Sequence, residues 1–98
     1  MNEQAEYYRR MLREQLPVLT RQYGVASLAL FGSRIRGDAE ATSDLDVLVG
    51  FHESPSLLRL IELENELTDL LGVKVDLVLR DSLKPRIGQR ILAEATPV

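Results

Sequence analysis

Three carboxylates stand where a strand would otherwise be apolar. Asp44 and Asp46 flank Leu45 at the head of the run Asp44 to Phe51, and Asp76 interrupts Val75 to Leu79. Residues two apart on a strand share a face, about 6.6 Å apart along the backbone. If the two strands are neighbours, the Asp76 Cα lies roughly 5 Å from one of the others. Like charges this close repel strongly in a partly dry site, and a divalent metal is the natural compensation. Paired Mg²⁺ ions about 3.5–4 Å apart fit such a cluster. Upstream, an apolar run ends in Gly32-Ser33, with Arg34 and Arg36 just beyond. A glycine there lets a phosphate approach backbone N–H groups and the Ser hydroxyl, beside local positive charge. Metal cluster and anion cradle together are what a triphosphate–Mg²⁺ substrate needs.

The elements that must position these groups follow from periodicity. Gln4 to Tyr23 reads as a helix, with Ala5, Tyr8, Leu12, Leu16, Leu19 and Tyr23 on one stripe. Pro17 should kink it or start a second segment, and Gly24 should stop it. Val25 to Phe31 reads as a buried strand, Arg34 to Gly37 as one or two helical turns, and Asp38 to Ser43 as a loop. Asp44 to Phe51 is the second strand, with Leu45, Val47 and Val49 on one face and Asp44, Asp46 and Leu48 on the other.

Ser54 is expected to cap a helix with Pro55 at its first position, running to Leu71. Its apolar stripe is Leu57, Leu60, Leu63, Leu67 and Leu70, and Gly72 ends it. Leu58, Ile61 and Leu71 widen the stripe and are candidates for a protein interface. Val73 to Leu79 alternates as a third strand, with Val73, Val75, Leu77 and Leu79 inward. Asp81-Ser82 is a further capping signal, and Pro85 to Ala95 reads as a last helix. The order predicts a single domain over residues 1–98, of α/β (α+β) class: a small sheet with helices packed mainly on one face.

Composition narrows the chemistry. The chain has 98 residues, one domain's worth. Its net charge of −3 argues against a nucleic-acid binder that works by blanket positive charge. It has no Cys and one His, His52, so disulfides, thiolate nucleophiles, His-dependent triads and multi-His metal sites drop out. His52 lies in a polar turn and is expected at the surface. No apolar run reaches the roughly 18 residues of a membrane span. The acidic start Met1 to Glu6 is unlike a signal peptide, and the absence of Cys makes reduced cytoplasm the expected compartment. Tyr8 is expected in the core and Tyr7 outside it.

Gly32-Ser33, ten residues, then Asp44-Leu45-Asp46 resembles the signature of the nucleotidyltransferase superfamily related to DNA polymerase β. Leu30 to Asp38 and Ser43 to Val49 resemble its minimal, MNT-type branch, and Val75-Asp76-Leu77-Val78 resembles the segment with the third carboxylate. Ile35 stands where this branch often has Ala.

The resemblance implies a nucleotidyltransferase fold with a small mixed sheet. It implies that Asp44, Asp46 and Asp76 hold two Mg²⁺ ions, with Asp76 also helping to deprotonate the acceptor hydroxyl. Gly32, Ser33, Arg34, Arg36 and Ser43 would bind the nucleotide. It further implies an antitoxin that transfers AMP from ATP to a tyrosine of a HEPN-domain toxin, in a hetero-oligomer with that toxin. The runner-up is a binding module that neutralises the toxin by contact. A small-molecule transferase ranks below both, because such enzymes usually need more chain to hold an acceptor.

Overall fold

The computed structural model describes residues 3–37 and 44–98. Helix α1 spans Glu3–Tyr23, strand β1 Val25–Phe31, helix α2 Ser33–Arg36, strand β2 Leu45–Phe51 and helix α3 Leu57–Leu71. Strand β3 covers Val75–Leu79, a 3₁₀ turn Arg80–Ser82, helix α4 Pro85–Glu94, and strand β4 Thr96–Pro97. None of the described helices is long and apolar enough to cross a membrane.

The sheet order is β3-β2-β1-β4. β1 is antiparallel to β2 and to β4, while β2 and β3 run parallel with α3 as the crossover, so the sheet is mixed. One face carries Leu28, Leu30, Leu45, Val47, Val49, Val75 and Leu77, packed with Tyr8, Leu12 and Leu19 of α1 and Leu63, Leu67 and Leu71 of α3. That single cluster is the core. The other face carries Asp46 and Asp76, with Phe31 and Leu48 buried outside the main cluster.

Several expectations needed correction. Pro17 lies inside an uninterrupted α1. An interior proline removes one ladder hydrogen bond, but Ala5, Tyr8, Leu12 and Leu19 on both sides of it are buried, and this docking holds the two halves in one helix. The cap of α3 is Ser56, whose side chain accepts from the Arg59 N–H at 3.1 Å; Ser54 and Pro55 precede the helix. The helix therefore starts two residues later than the Ser54-Pro55 reading. Its first apolar residue, Leu57, is 73% exposed, and Leu71 replaces it in the core. β3 starts at Val75, and α4 has Lys84 at its N-cap with no side-chain cap and Pro85 at the first turn.

β4 was not expected at all. Thr96–Pro97 is too short to show a period, and Pro is rare in strands except at edges, which is where it sits. Arg9 Nε of α1 donates to the Pro97 carbonyl at 3.0 Å and Val98 N to the Leu28 carbonyl at 3.1 Å, so the segment is clasped from two sides. The expected loop Asp38 to Ser43 falls outside the described residues. Tyr8 is buried, with Tyr7 exposed beside it in an edge-on ring pair, and His52 is exposed, all as expected.

Candidate active site

The site is built by register. Asp46 and Asp76 are direct partners on the parallel β2–β3 ladder, so their side chains leave the same face on adjacent strands. On the other side Asp46 pairs with Phe31, the last residue of β1, which brings Gly32 alongside. Asp44 stands just before β2, where Leu45 N donates to the Lys74 carbonyl at 2.8 Å and Lys74 Nζ lies 4.0 Å from Asp44 Oδ2. Three carboxylates from two strands thus meet at one rim, next to the glycine turn.

The strand carrying Asp76 is an edge, and α3 braces it. Val75 N donates to Thr68 Oγ1 at 3.1 Å and Leu77 N to Glu64 Oε2 at 3.0 Å. Those two bonds satisfy the outward amides on either side of Asp76, which would otherwise invite another strand. Thr68 and Glu64 were not picked out by sequence. They sit on the helix's polar flank, and only the docking of α3 against β3 gives them a task.

Electrostatics bear the stamp of this crowding. Burial, then the nearby charges of Asp76 and Asp44, hold the Asp46 carboxyl above its ordinary value of 3.8, while Arg36 acts in the opposite direction. Asp76 itself is exposed. Among the described residues no three acidic or imidazole side chains already close into a metal cage. The carboxylates are coupled but open, which suits a hard cation that takes its remaining ligands from water and substrate phosphates. An all-oxygen, all-anionic donor set with one member strained by its neighbours fits Mg²⁺.

Gly32 is the hinge of the cradle. Its φ is +88°, a conformation that costs other residues strain. A Cβ built on it would lie 2.0 Å from Asp46 Oδ2, so the carboxylate occupies the space a side chain would need. The Gly32 carbonyl accepts from Ile35 N at 3.2 Å and Arg36 N at 3.1 Å, and Gly37, also at positive φ, closes the turn through Ser33 O at 3.0 Å. Ser33 is thereby held beside Gly32 at the start of α2.

Of the expected nucleotide-site residues, Gly32, Ser33 and Arg36 come to the carboxylate rim, Arg34 lies on the same turn, and Ser43 falls outside the described residues. Arg36 Nη1 pairs with both carboxyl oxygens of Glu94 at 3.3 Å. That partner sits at the end of α4 and carried no signal in the sequence.

The chain is matched over residues 12–97 by the model of the nucleotidyltransferase domain family. It is 49% identical over 80 residues to the protein adenylyltransferase MntA of Thermococcus cleftensis, covering 82% of this chain and 81% of that protein. A solved structure of a minimal nucleotidyltransferase superposes with a TM-score of 0.76 at 42% identity, over 91% of each chain. A chain from the complex of tri-AMPylated Shewanella oneidensis HEPN toxin with MNT antitoxin shares the fold, with a TM-score of 0.64 at 21% identity over 91% of this chain and 70% of that one. With the acids registered on one rim and the glycine turn beside them, the chain belongs to the nucleotidyltransferase domain family, in its minimal form.

Proposed function

We propose that this protein is a cytoplasmic Mg²⁺-dependent protein adenylyltransferase that transfers AMP from ATP to a tyrosine hydroxyl of a HEPN-domain toxin and so acts as its antitoxin. The observation that carries the reading is the Asp46–Asp76 pairing beside Gly32. The name of the Thermococcus relative supports the reaction type. The toxin complex of the more distant fold neighbour supports the choice of partner.

Asp44, Asp46 and Asp76 would hold the metal, which when bound stabilises the attacking and leaving oxygens of an in-line displacement. Gly32 and Ser33 present backbone N–H groups and a hydroxyl to the triphosphate, and Arg36 adds positive charge on the same side. The acceptor hydroxyl attacks the α-phosphorus, the bond to the bridging oxygen breaks, and pyrophosphate leaves. Asp76 is the most open of the acids on the strands and stands at the edge, where an acceptor from another protein can reach it; there it accepts the hydroxyl proton. Exposed Leu57, Leu58 and Ile61 on α3 offer apolar surface for such a partner.

The test mixes the protein with the product of the adjacent gene, labelled ATP and Mg²⁺. Label should appear on a tyrosine of that product. It should fall by at least about 10²–10³-fold in Asp44→Asn, Asp46→Asn or Asp76→Asn. Neutralisation that survives in Asp44→Asn/Asp46→Asn with no label transferred would establish the contact-only antitoxin instead.

A further inference from the structure

A cleft of about 250 Å³ separates α2 from α4 and opens beside the glycine turn. Phe31, Gly32 and Arg36 form one side; Arg90, Ile91 and Glu94 are among the α4 residues on the other. Arg90 and Glu94 are four apart on α4, so they share a helix face, and that face is turned to Arg36. The end of α4 is not free to choose its position. Ala95 N closes on the Ile91 carbonyl at 2.8 Å, and Thr96 then pairs with Leu30 of β1. The sheet itself therefore delivers the Glu94 carboxylate to Arg36.

The Arg36–Glu94 pair is exposed, at 49% and 44% for the two side chains. Exposed ion pairs add little to stability and exchange readily for a better anion. A terminal phosphate carries more charge than a carboxylate and accepts more hydrogen bonds, and guanidinium groups match its geometry.

We propose that α4 is part of the nucleotide site. Arg90 and Arg36 together grip the outer phosphates of the nucleoside triphosphate, and Glu94 is the anion that holds that position until the nucleotide displaces it. The assignment rests on reading Gly32-Ser33 as the phosphate turn, and it adds two residues that the motif does not contain.

Calorimetric titration of the whole protein with Mg²⁺–tripolyphosphate, Mg²⁺–ATP and AMP separates the possibilities. Arg90→Ala should weaken tripolyphosphate and ATP about tenfold, the loss of one charge-assisted contact, and leave AMP unchanged. Arg90→Lys should recover part of it. Glu94→Gln should tighten both polyphosphate ligands several-fold, about 3–10-fold by the same reckoning. In the transfer assay Arg90→Ala should raise KM for ATP while KM for the acceptor protein stays the same. Wild-type binding that neither Arg90→Ala nor Glu94→Gln alters would overturn this inference alone, as would an effect of Arg90→Ala confined to the acceptor's KM. A wild-type protein that binds neither ATP nor tripolyphosphate would overturn it together with the phosphate reading of Gly32.

Discussion

The Asp46 carboxylate fills the space beside Gly32 that any other residue's side chain would claim: a Cβ there would sit 2.0 Å from Oδ2. Glycine at this point serves two ends. It permits φ +88° at the turn, and it lets a strand acid and the backbone of the turn approach within contact distance.

Gly32→Ala is accordingly expected to damage the site more than the fold. Backbone at φ +88°, ψ −169° is used almost only by glycine and costs another residue about 1–3 kcal/mol; the Asp46 Oδ2 can rotate aside, but its Cγ at 3.0 Å and Cβ at 3.2 Å require β2 to give slightly. Thermal melting should show a folded protein of modestly lower Tm, with transfer activity reduced at least about tenfold by the displaced Asp46. A variant of normal activity would mean that Asp46 does not need its present position.

Asp46 also sets a pH signature in metal-free protein. Its folded-state value lies above the unfolded 3.8, so between those two values the native state binds the extra proton. Its contribution is most favourable below 3.8 and is lost as pH rises through the raised value. Denaturant titrations with chelator present should show this downward segment in the wild type and not in Asp46→Asn. The variant should be at least as stable as the wild type at neutral pH, since a crowded charge has gone. A large loss of stability in Asp46→Asn would contradict the crowding.

At the opposite end of the sheet, the Tyr23 hydroxyl donates to Glu66 Oε2, and the Arg59 guanidinium lies 5.3 Å from the ring centroid. That hydrogen bond, then burial and the charges of Glu66 and Glu62, push the phenol up to about 12. Since the folded value exceeds the ordinary 10, the contribution is complete below pH 10 and disappears as pH rises towards 12. Tyrosinate absorbance should show a late-titrating component that Tyr23→Phe removes.

Two leucines of α3 should respond in opposite ways. Leu67→Ala empties a fully buried position and is expected to cost about 2–5 kcal/mol by chemical denaturation. Leu57→Ala, at a residue 73% exposed, should stay within about 0.5 kcal/mol of wild type. Equal effects would place the helix face elsewhere.

That contrast shows where reading by period stops. Periodicity puts Leu57 on the core stripe of α3 and Leu71 among the residues that widen it, and the structure exchanges their places. The start of α3 at Ser56 rather than Ser54, and the docking of the helix on the sheet, decide which one is covered. β1 was legible to the residue, because an apolar run bounded by glycines has no other comfortable state. The pairing of Thr96–Pro97 with β1 was not, because two residues carry no pattern and their bond to Leu30 is entirely non-local.

The candidate site divides the same way. Local chemistry alone supplied the acids Asp44, Asp46 and Asp76, the Gly32-Ser33 turn and the side of β2 on which Asp46 projects, since alternation along a strand is a covalent consequence. Whether Asp76 would stand opposite Asp46, what braces its edge strand, and which anion meets Arg36 were settled by strand register and by the docking of α3 and α4. Such contacts join residues in different elements, from 7 to 58 positions apart, and their energy comes from packing that no single element contains.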